Sequence, residues 1–337
     1  MPSTDSRFNA LLTWLQTGAG LTVDAIGPAS ADASFRRYFR IQSGDSSYVV
    51  MDAPPPKENV SPFLVVAKLL RDAGLQTPDV HAVDVENGFV LLGDLGQRDY
   101  LGALNPATVD ALYADALKAL LMLQQGVDSV GAGLPLYDQR LLATEVGIFR
   151  EWCLEKYLGI ELTEAETLIW QNAVAALIDS ALAQPQVCVH RDFHSRNLML
   201  TDLGNPGVLD FQDAVIGPIT YDAVSLLRDC YIAWPADRVY GWVDMFRSDL
   251  LAAGLLNEAA TCRFRGWFDL MGMQRHLKAV GIFARLNLRD GKPGYLGDIP
   301  RTLGYVLEVG RSYPEFSEFV SLLETRVLPA LAVEGLR

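Results

Sequence analysis

The main change in the secondary-structure pattern of the sequence lies near residue 95, and this change limits the fold more than any single motif does. Before it, short runs rich in β-branched and aromatic residues are separated by turn-forming residues, which predicts strands at 23–30, 34–43, 46–53, 80–85 and 88–96. One helix is predicted among them at 61–74, with Ser61 as its N-cap, Pro62 at its first position and Gly74 as its stop.

From Asn105 onward, helical periodicity dominates the sequence. The pattern predicts helices at 108–125, 141–158 and 165–184. The order of elements therefore predicts an α+β chain, with a small sheet-rich domain at 1–95 and a larger helical domain at 96–337.

Composition narrows the class of protein. The formal charge of −13 argues against a general binder of nucleic acid or anionic membranes, because both need a basic surface. The four cysteines are scattered without a Cys-x-x-Cys pair, so neither a zinc knuckle nor a disulfide framework is indicated. The first residues do not read as a signal peptide, and no apolar run approaches the ~18 residues of a membrane span. We expect a cytoplasmic protein that binds neither nucleic acid nor membranes; the sequence sets no oligomeric state.

The segment VHRDFHSRNLML, residues 189–200, gathers polar side chains at the head of an apolar run. A strong turn, TDLGNPG, separates it from VLDFQDA, so NLML and GVLDF are predicted to pair as an antiparallel hairpin. Asn197 and Asp210 are equidistant from the turn centre and are expected at the same open end. An amide oxygen and a carboxylate there suit Mg²⁺, which keeps phosphate and water among its ligands. Asp192, just ahead of Asn197, is placed to orient an attacking hydroxyl, as phosphoryl transfer requires.

His190 and His194 flank Asp192, and their spacing raises the alternative of a zinc pair. Histidines four residues apart bind one metal when they lie on a helix. Here the apolar run VCV leads into the motif and predicts a strand followed by a loop. We therefore expect both histidines to hold the loop by hydrogen bonds.

The motif resembles that of the aminoglycoside phosphotransferase and choline kinase-like family, relatives of the protein kinases. The family pattern, His-x-Asp-x-His-x-x-Asn followed by Ile/Leu-Asp-Phe/Trp, is matched by His190, Asp192, His194, Asn197 and Asp210. Asp222 matches the family's Gly-x-x-x-Tyr-Asp segment, whose aspartate braces the catalytic loop. The resemblance implies a two-lobed protein-kinase-like fold and the use of ATP and Mg²⁺. It also implies Asp192 as catalytic base, with Asn197 and Asp210 as metal ligands.

A closer resemblance is to the bacterial kinases of cell-wall recycling, which phosphorylate N-acetylmuramate and N-acetylglucosamine at the anomeric position. It rests on four segments taken together, ASADASFRRYFRI, VVMDAPPPKEN, LLGDLGQRDYL and QRHLKAVGIFARLNLRDGKPGYLGDIPR. The resemblance implies a small amino sugar as the acceptor.

The small lobe departs from the protein-kinase pattern where phosphate should bind. No Gly-x-Gly-x-x-Gly is present, and the first hairpin carries small residues, Ala33 and Ser34 among them, whose N–H groups can approach phosphate. Met51 and Asp52 stand where the resemblance places a phosphate-pairing lysine. The cations that could replace it are Arg36, Arg37, Arg40 and Lys57.

Arg36 and Arg37, next to this hairpin, are the predicted nucleotide contacts. On a strand Arg36 and Arg40 share one face while Arg37 points to the other, and the alternative is that all three are solvated strand residues. At the other end of the nucleotide site, the segment FVLLGDLG matches the connector between the lobes. By resemblance, the Leu92 carbonyl and the Asp94 N–H contact the adenine edge.

Residues 262–311 carry nine Lys/Arg against four Asp/Glu, a local excess of positive charge in an acidic chain. Two interpretations remain open, a solvated helix face with its loop, or a pocket for an anionic acceptor or a phosphate. The candidate acceptor contacts are Arg275 and Lys278 on one helix face, with Arg289 and Lys292 in the loop beyond. Candidates for stacking on a sugar ring are Trp234, Trp242 and Trp267.

Three functions are compatible with these residues. The first is an ATP- and Mg²⁺-dependent kinase of a small amino sugar. The second keeps the chemistry and changes the acceptor to another small alcohol or an aminoglycoside, although a polycation suits a basic pocket poorly. The third is a nucleotide-binding pseudokinase that acts as a regulator; the missing lysine favours it, and the intact Asp192, Asn197 and Asp210 oppose it.

Overall fold

The computed structural model of the chain describes residues 5–30, 35–202 and 204–336. The strands of the N-terminal lobe are β1 Ala25–Ser30, β2 Arg37–Ser43, β3 Ser46–Asp52, β4 Val80–Asp84 and β5 Phe89–Gly93. They form one antiparallel sheet in the order β1-β2-β3-β5-β4, with helix α1 Ser6–Thr17 before it and α2 Ser61–Asp72 between β3 and β4. All five predicted strands are confirmed, with ends within three residues of those predicted.

The two faces of this sheet pack against different partners because side chains alternate along each strand. Ile41, Val50 and Phe89 point to an outer face that α1 covers with Leu11 and Leu15. The residues that point to the opposite side, here called the cleft face, are Tyr38, Met51, Val90 and Leu92. The apolar cluster of these residues continues into the larger lobe, so the cleft face is the side of the sheet that faces the larger lobe.

The larger lobe is mostly helical. Its first helices are α3 Tyr100–Ala103, α4 Val109–Gly126, α5 Gln139–Ile148 and α6 Glu164–Leu182, and α5 continues as a π-helix over Phe149–Tyr157. Short strands then follow at β6 Gln186–Val189, β7 Leu198–Met199, β8 Gly207–Val208 and β9 Val215–Pro218. The three predicted helices of this region are confirmed, and the short strands that carry the polar motif follow them in the chain.

The remaining chain returns to helices around a second apolar core. The helices are α7 Tyr221–Leu227, α8 Ala236–Ala252, α9 Glu258–Thr261, α10 Phe264–Asp290, α11 Ile299–Arg311, α12 Ser317–Leu322 and α13 Leu328–Val333. Three short segments lie between them, the 3₁₀ helices Pro293–Asp298 and Pro314–Phe316 and the π turn Leu323–Val327. In the described parts of the chain, no helix combines the length and apolarity that crossing a membrane requires.

The start of α2 differs from its prediction. Val60 occupies the cap position and Ser61 is the first helical residue, so the predicted Ser61 cap is wrong by one residue. The side chain of Asn59 accepts from the Ser61 N–H at 2.9 Å and supplies the missing acceptor. At the other end, Gly74 has a φ of +88° and leaves the helix as predicted.

Candidate active site

The two residues of the predicted metal site meet at the open end of a short hairpin. β7 and β8 pair antiparallel, with Leu198 opposite Val208. The N–H of Leu209 donates to the Asn197 carbonyl at 2.9 Å, and Asp210, one residue further on, has a φ of +63°. Asn197 Nδ2 then lies 3.5 Å from Asp210 Oδ2. The predicted hairpin is present, and its register differs by one residue from symmetric pairing about the turn.

Two buried aspartates hold the loop between β6 and β7 through its backbone. Asp222, in the first turn of α7, accepts from the N–H groups of His190 at 2.7 Å and Arg191 at 3.0 Å. Burial raises the pKa of Asp222, whereas these two donors favour its ionised form. Asp229, which has no signal in the sequence, accepts from the N–H and the hydroxyl of Ser195 at 2.9 and 2.5 Å. Arg191 has a φ of +78°, a strained conformation that such bracing maintains.

The His190 ring supports the loop by a hydrogen bond, and the His194 ring lies 3.5 Å from the Asn197 amide nitrogen. His190 Nδ1 accepts from the Asp192 N–H at 3.2 Å, and the Asn197 amide donates to the Asp192 carbonyl at 3.0 Å. Burial lowers the pKa of His190 to about 4 and that of His194 below its ordinary value, so both rings are neutral at pH 7. Neither ring belongs to a group of three His, Cys, Asp or Glu residues able to hold a metal within the described ranges.

The carboxylate of Asp192 lies in a positively charged environment. Burial acts to raise its pKa, but the charge of Lys278, followed by the effects of His194 and Arg275, outweighs burial and lowers the pKa below its ordinary value. Asp192 is therefore ionised at neutral pH. An ionised carboxylate on a braced loop can accept a hydrogen bond from a hydroxyl and take its proton.

Glu145, a buried carboxylate that the sequence did not single out, positions Lys278 and Arg191. Glu145 on α5 accepts from Lys278 at 2.9 Å, from the Arg191 guanidinium and from the Tyr137 hydroxyl. Burial acts to raise the pKa of Glu145, and the charges of Lys278 and Arg191 outweigh it. Lys278 also donates to the Tyr221 hydroxyl at 3.1 Å. The lysine is thus fixed by two partners and contributes its charge to Asp192 from a set position.

The connector between the lobes is tied to the sheet by its aspartate. The Asp94 carboxylate accepts from the Arg40 guanidinium at 2.6 and 2.9 Å and from the Ser47 hydroxyl at 2.5 Å. Arg40 is therefore bound to the connector and is not a candidate for binding phosphate. Leu92 lies in β5 and pairs with Val49, so its side chain belongs to the cleft face.

Arg36 lies on the cleft face, directly before β2 and four residues from Arg40. Continuing the register of β2 and β3 by one residue puts Arg36 opposite Ala53 and diagonal to Met51, where the resemblance places the lysine. Its guanidinium donates to Glu58 at 3.0 Å, and both side chains are mostly buried. Glu58 also accepts from the Phe35 N–H at 3.2 Å.

The Arg36–Glu58 pair lies at the same end of the cleft as the hairpin. Glu58 shortly precedes α2, and Phe63 in the first turns of α2 stacks on Phe211 with ring centroids 4.8 Å apart. Phe211 directly follows Asp210, so this contact joins the start of α2 to the predicted metal site.

Arg37 points away from the cleft. It pairs with the buried carboxylate of Asp52 and with Asp5, and its guanidinium lies 5.7 Å from the Phe39 ring on the outer face. The structure therefore does not bring Arg37 to the predicted nucleotide site. The other predicted phosphate contacts of this hairpin, Ala33 and Ser34, lie outside the described residues.

The four predicted acceptor cations separate into two pairs. Arg275 and Lys278 face the loop of Asp192, and Arg275 is almost fully buried, with a contact of 3.7 Å to the Cys230 sulfur. Arg289, fourteen residues after Arg275 in α10, lies about 21 Å further along the helix axis, where it pairs with Asp290. Lys292 follows the end of α10. A single small acceptor cannot contact both pairs.

The aromatic residues next to the loop are tyrosines that the sequence did not single out. Tyr231 meets the His194 ring edge-on at 5.4 Å, and the Arg196 guanidinium lies 3.7 Å from the centre of the Tyr231 ring. Of the three predicted stacking residues, Trp242 and Trp267 are buried in the core, and Trp234 packs against it. Tyr231 could not be identified from the sequence, because its contact with the loop exists only in the folded chain.

Comparison with known proteins places this site in a family. The phosphotransferase enzyme family matches residues 25–264. An N-acetylmuramate/N-acetylglucosamine kinase of Pseudomonas putida is 47% identical over 333 residues, covering 96% of this chain and 97% of its own length. A protein of the same name from Pseudomonas aeruginosa is 48% identical over 332 residues, covering 95% and 97%. A third, from Neisseria meningitidis, is 46% identical over 318 residues, covering 93% and 94%.

Solved structures show the same fold at low identity. An ADP-bound aminoglycoside phosphotransferase aligns with a TM-score of 0.60 at 17% identity over 90% of this chain and 99% of its own. A choline kinase from Streptococcus pneumoniae aligns with a TM-score of 0.62 at 11% identity over 89% and 99%. The two-lobed kinase-like fold is thereby confirmed, and the kinase relatives decide for catalysis against a purely regulatory role. The chain is a kinase and belongs to the phosphotransferase enzyme family.

Proposed function

We propose that this kinase transfers the γ-phosphoryl group of ATP to the anomeric hydroxyl of N-acetylmuramate and N-acetylglucosamine. The relatives that carry this substrate pair in their name are 46–48% identical to the chain over nearly its whole length. The observation that carries the proposal in the structure is Asp192 on a loop braced by Asp222, with the cations Lys278 and Arg275 acting on its carboxylate.

Asp192 orients the acceptor hydroxyl and receives its proton. The acceptor oxygen bonds to the γ-phosphorus as the bond to the ADP oxygen breaks, and the proton passes to Asp192. The loop geometry serves this step, because His190 and Asn197 fix the backbone on both sides of the carboxylate. Lys278, held by Glu145, keeps the carboxylate ionised before the acceptor arrives.

The residues at the hairpin fit a Mg²⁺ ion. Asn197 and Asp210 bring an amide and a carboxylate to one point, the oxygen donors that Mg²⁺ prefers, with few enough protein ligands to leave positions for phosphate and water. Asn197 and Asp210 would hold the ion, which when bound neutralises charge on the phosphates. Gln212 donates to Asp210 Oδ1 at 2.8 Å and orients this carboxylate.

On the nucleotide side, Arg36 takes the part of the missing strand lysine. Its position diagonal to Met51 on the cleft face puts a cation near the place where the lysine would project, and Glu58 holds it there. The stacking of Phe63 on Phe211 supports the same placement, because it brings the start of α2 next to Asp210. The backbone of Leu92 and Asp94 in the connector would meet the adenine edge.

Replacing Arg36 by methionine should weaken ATP binding. Hydrogen bonds to charged groups typically contribute enough that their loss changes affinity about tenfold to a hundredfold, so the KM for ATP should rise by that factor. Arg37→Met is the matched control, because Arg37 points to the outer face; it should lower thermal stability and leave the KM for ATP within about twofold. Nucleotide titration calorimetry and steady-state kinetics of both variants measure this. Equal changes in ATP affinity for both variants would contradict the assignment.

The charge near Asp192 selects among acceptors. Lys278 and Arg275 raise the electrostatic potential at the carboxylate, as the lowered pKa of Asp192 shows. Two fixed cations beside the reacting carboxylate suit a neutral or acidic sugar better than a cationic acceptor such as choline or an aminoglycoside. This observation favours an amino sugar with an acylated nitrogen over both alternative acceptor classes.

The proposal is tested by measuring ADP release with a panel of acceptors. We expect efficient turnover with N-acetylmuramate and N-acetylglucosamine, and kcat/KM at least a hundredfold lower with choline and kanamycin. Turnover of kanamycin or choline without turnover of either sugar would overturn the substrate assignment and leave the family assignment intact.

A further inference from the structure

Arg196 is the cation of the catalytic loop whose charge no carboxylate of the described residues neutralises. It lies four residues after Asp192, so the backbone places it at most about 14 Å from that residue. Among the residues that the structure describes, no carboxylate forms an ion pair with Arg196 and its N–H groups donate no hydrogen bond. By contrast, Lys278 and Arg191 are both committed to Glu145.

Arg196 is nevertheless held in place. Its guanidinium lies 3.7 Å from the centre of the Tyr231 ring and 5.8 Å from that of Tyr295. Tyr295 stacks on Phe283 at 5.9 Å, and Tyr231 contacts the same Phe283 at 6.4 Å. The arginine is thus positioned by an aromatic platform built from three separate segments of the chain, instead of being free in solvent.

This mode of support leaves the binding edge of the guanidinium available. A cation–π contact uses the flat face of the group, whereas its N–H donors lie in the plane and point sideways. Two parallel N–H groups match the two oxygens of a carboxylate. An exposed arginine that only keeps the protein soluble does not have to be fixed against aromatic rings beside the reacting loop.

We propose that Arg196 binds the lactyl carboxylate of N-acetylmuramate and so makes this kinase prefer it to N-acetylglucosamine. The inference rests on the proposed function, in which both sugars present the same anomeric hydroxyl to Asp192. The two sugars differ in one group, the lactyl ether of N-acetylmuramate, which is ionised at neutral pH. Its attachment on the far side of the N-acetyl group directs it away from Asp192.

The position of Arg196 suits this contact better than that of the other cations. Lys278 is paired with Glu145, Arg289 is paired with Asp290, and Arg275 is buried close to the reacting carboxylate. Arg196 is exposed and lies four residues from Asp192, so it can meet a substituent remote from the reacting hydroxyl. A remote contact contributes equally to the bound ground state and to the transition state, and therefore lowers KM more than it raises kcat.

The test is the ratio of kcat/KM for N-acetylmuramate to kcat/KM for N-acetylglucosamine. In Arg196→Gln this ratio should fall about tenfold to a hundredfold, mainly through the KM for N-acetylmuramate, as the loss of a charge-assisted hydrogen bond predicts. Arg196→Lys keeps the charge and should recover part of the ratio. Arg140→Gln, which removes one positive charge at an exposed position of α5, is the matched control and should keep the wild-type ratio.

A modified substrate separates the charge of the lactyl group from its bulk. The methyl ester of N-acetylmuramate keeps the bulk of the lactyl group but lacks its charge, so Arg196→Gln should affect it no more than it affects N-acetylglucosamine. A loss in Arg196→Gln that is equal for N-acetylmuramate, its ester and N-acetylglucosamine would overturn the inference and show that the arginine supports the loop only. Failure of the wild-type enzyme to use either sugar is a different result and would instead overturn the proposed function.

Discussion

Asp192→Asn should lower kcat/KM for the sugar acceptors by about 10²–10⁴, the usual effect of losing a general base. The amide keeps the size of the side chain but cannot take the acceptor's proton at neutral pH. The loop should survive the substitution, because its backbone is held by Asp222 and Asp229 rather than by the Asp192 carboxylate. Nucleotide affinity, measured by calorimetry, should stay within about threefold of wild type.

A control for this variant comes from the turn of the same hairpin. Asp202 is nearly fully exposed and pairs loosely with Arg98 at 3.4 Å, so Asp202→Asn makes the same chemical change without touching the loop. It should retain wild-type turnover. Near wild-type turnover of Asp192→Asn would instead exclude Asp192 as the base.

Asp210→Ala should lower both Mg²⁺-dependent nucleotide affinity and turnover. The substitution removes the charged one of two protein ligands from a weakly held ion, so we expect the Mg²⁺ concentration for half-maximal activity to rise by about tenfold or more and kcat to fall by about a hundredfold. Asn197→Ala removes a neutral ligand and should have a milder effect on both quantities.

Calorimetry separates this prediction from a general loss of structure. Titrations of ATP into Asp210→Ala with and without Mg²⁺ should give nearly equal affinities, whereas wild type binds more tightly in the presence of the ion. Asp202→Asn serves again as the control and should behave as wild type. A Mg²⁺ dependence that is unchanged in Asp210→Ala, together with unchanged turnover, would contradict the metal site.

The parts of the site that were predictable are those encoded within one continuous stretch of chain. A strong turn between two apolar runs determined the hairpin, and the hairpin alone brings Asn197 and Asp210 together. The register was wrong by one residue, because the pairing of Leu198 with Val208 depends on the conformation of the turn, which the residue pattern does not specify. The strands and helices were predictable for the same reason, since periodicity is a local property.

The parts that could not be predicted depend on residues far apart in sequence. Glu145, which holds Lys278 and Arg191, lies within an ordinary helical pattern and gains its role only when α5 packs against α10. Arg196 and Tyr231 likewise meet only in the folded chain.

Charge counting along the chain could not decide between a solvated face and a pocket for the basic excess at 262–311. Several of its cations are neutralised in the fold, locally or by acids outside that stretch. Arg265 pairs with Asp244, Arg311 with Glu324 and Arg289 with its neighbour Asp290. Arg37 was predicted as a nucleotide contact. It pairs instead on the outer face with Asp52, which lies in the strand where a lysine was expected.

The position of the phosphate on the product is the most direct test of anomeric transfer. N-acetylmuramate is incubated with ATP, Mg²⁺ and the enzyme, and the product is examined by proton-coupled ³¹P NMR beside a parallel reaction on the 1-O-methyl glycoside. We predict a phosphate that couples to the anomeric proton, and no product from the methyl glycoside, whose anomeric oxygen is blocked. Phosphorylation of the methyl glycoside at a comparable rate, or a product whose phosphate shows no coupling to the anomeric proton, would contradict anomeric transfer by this kinase.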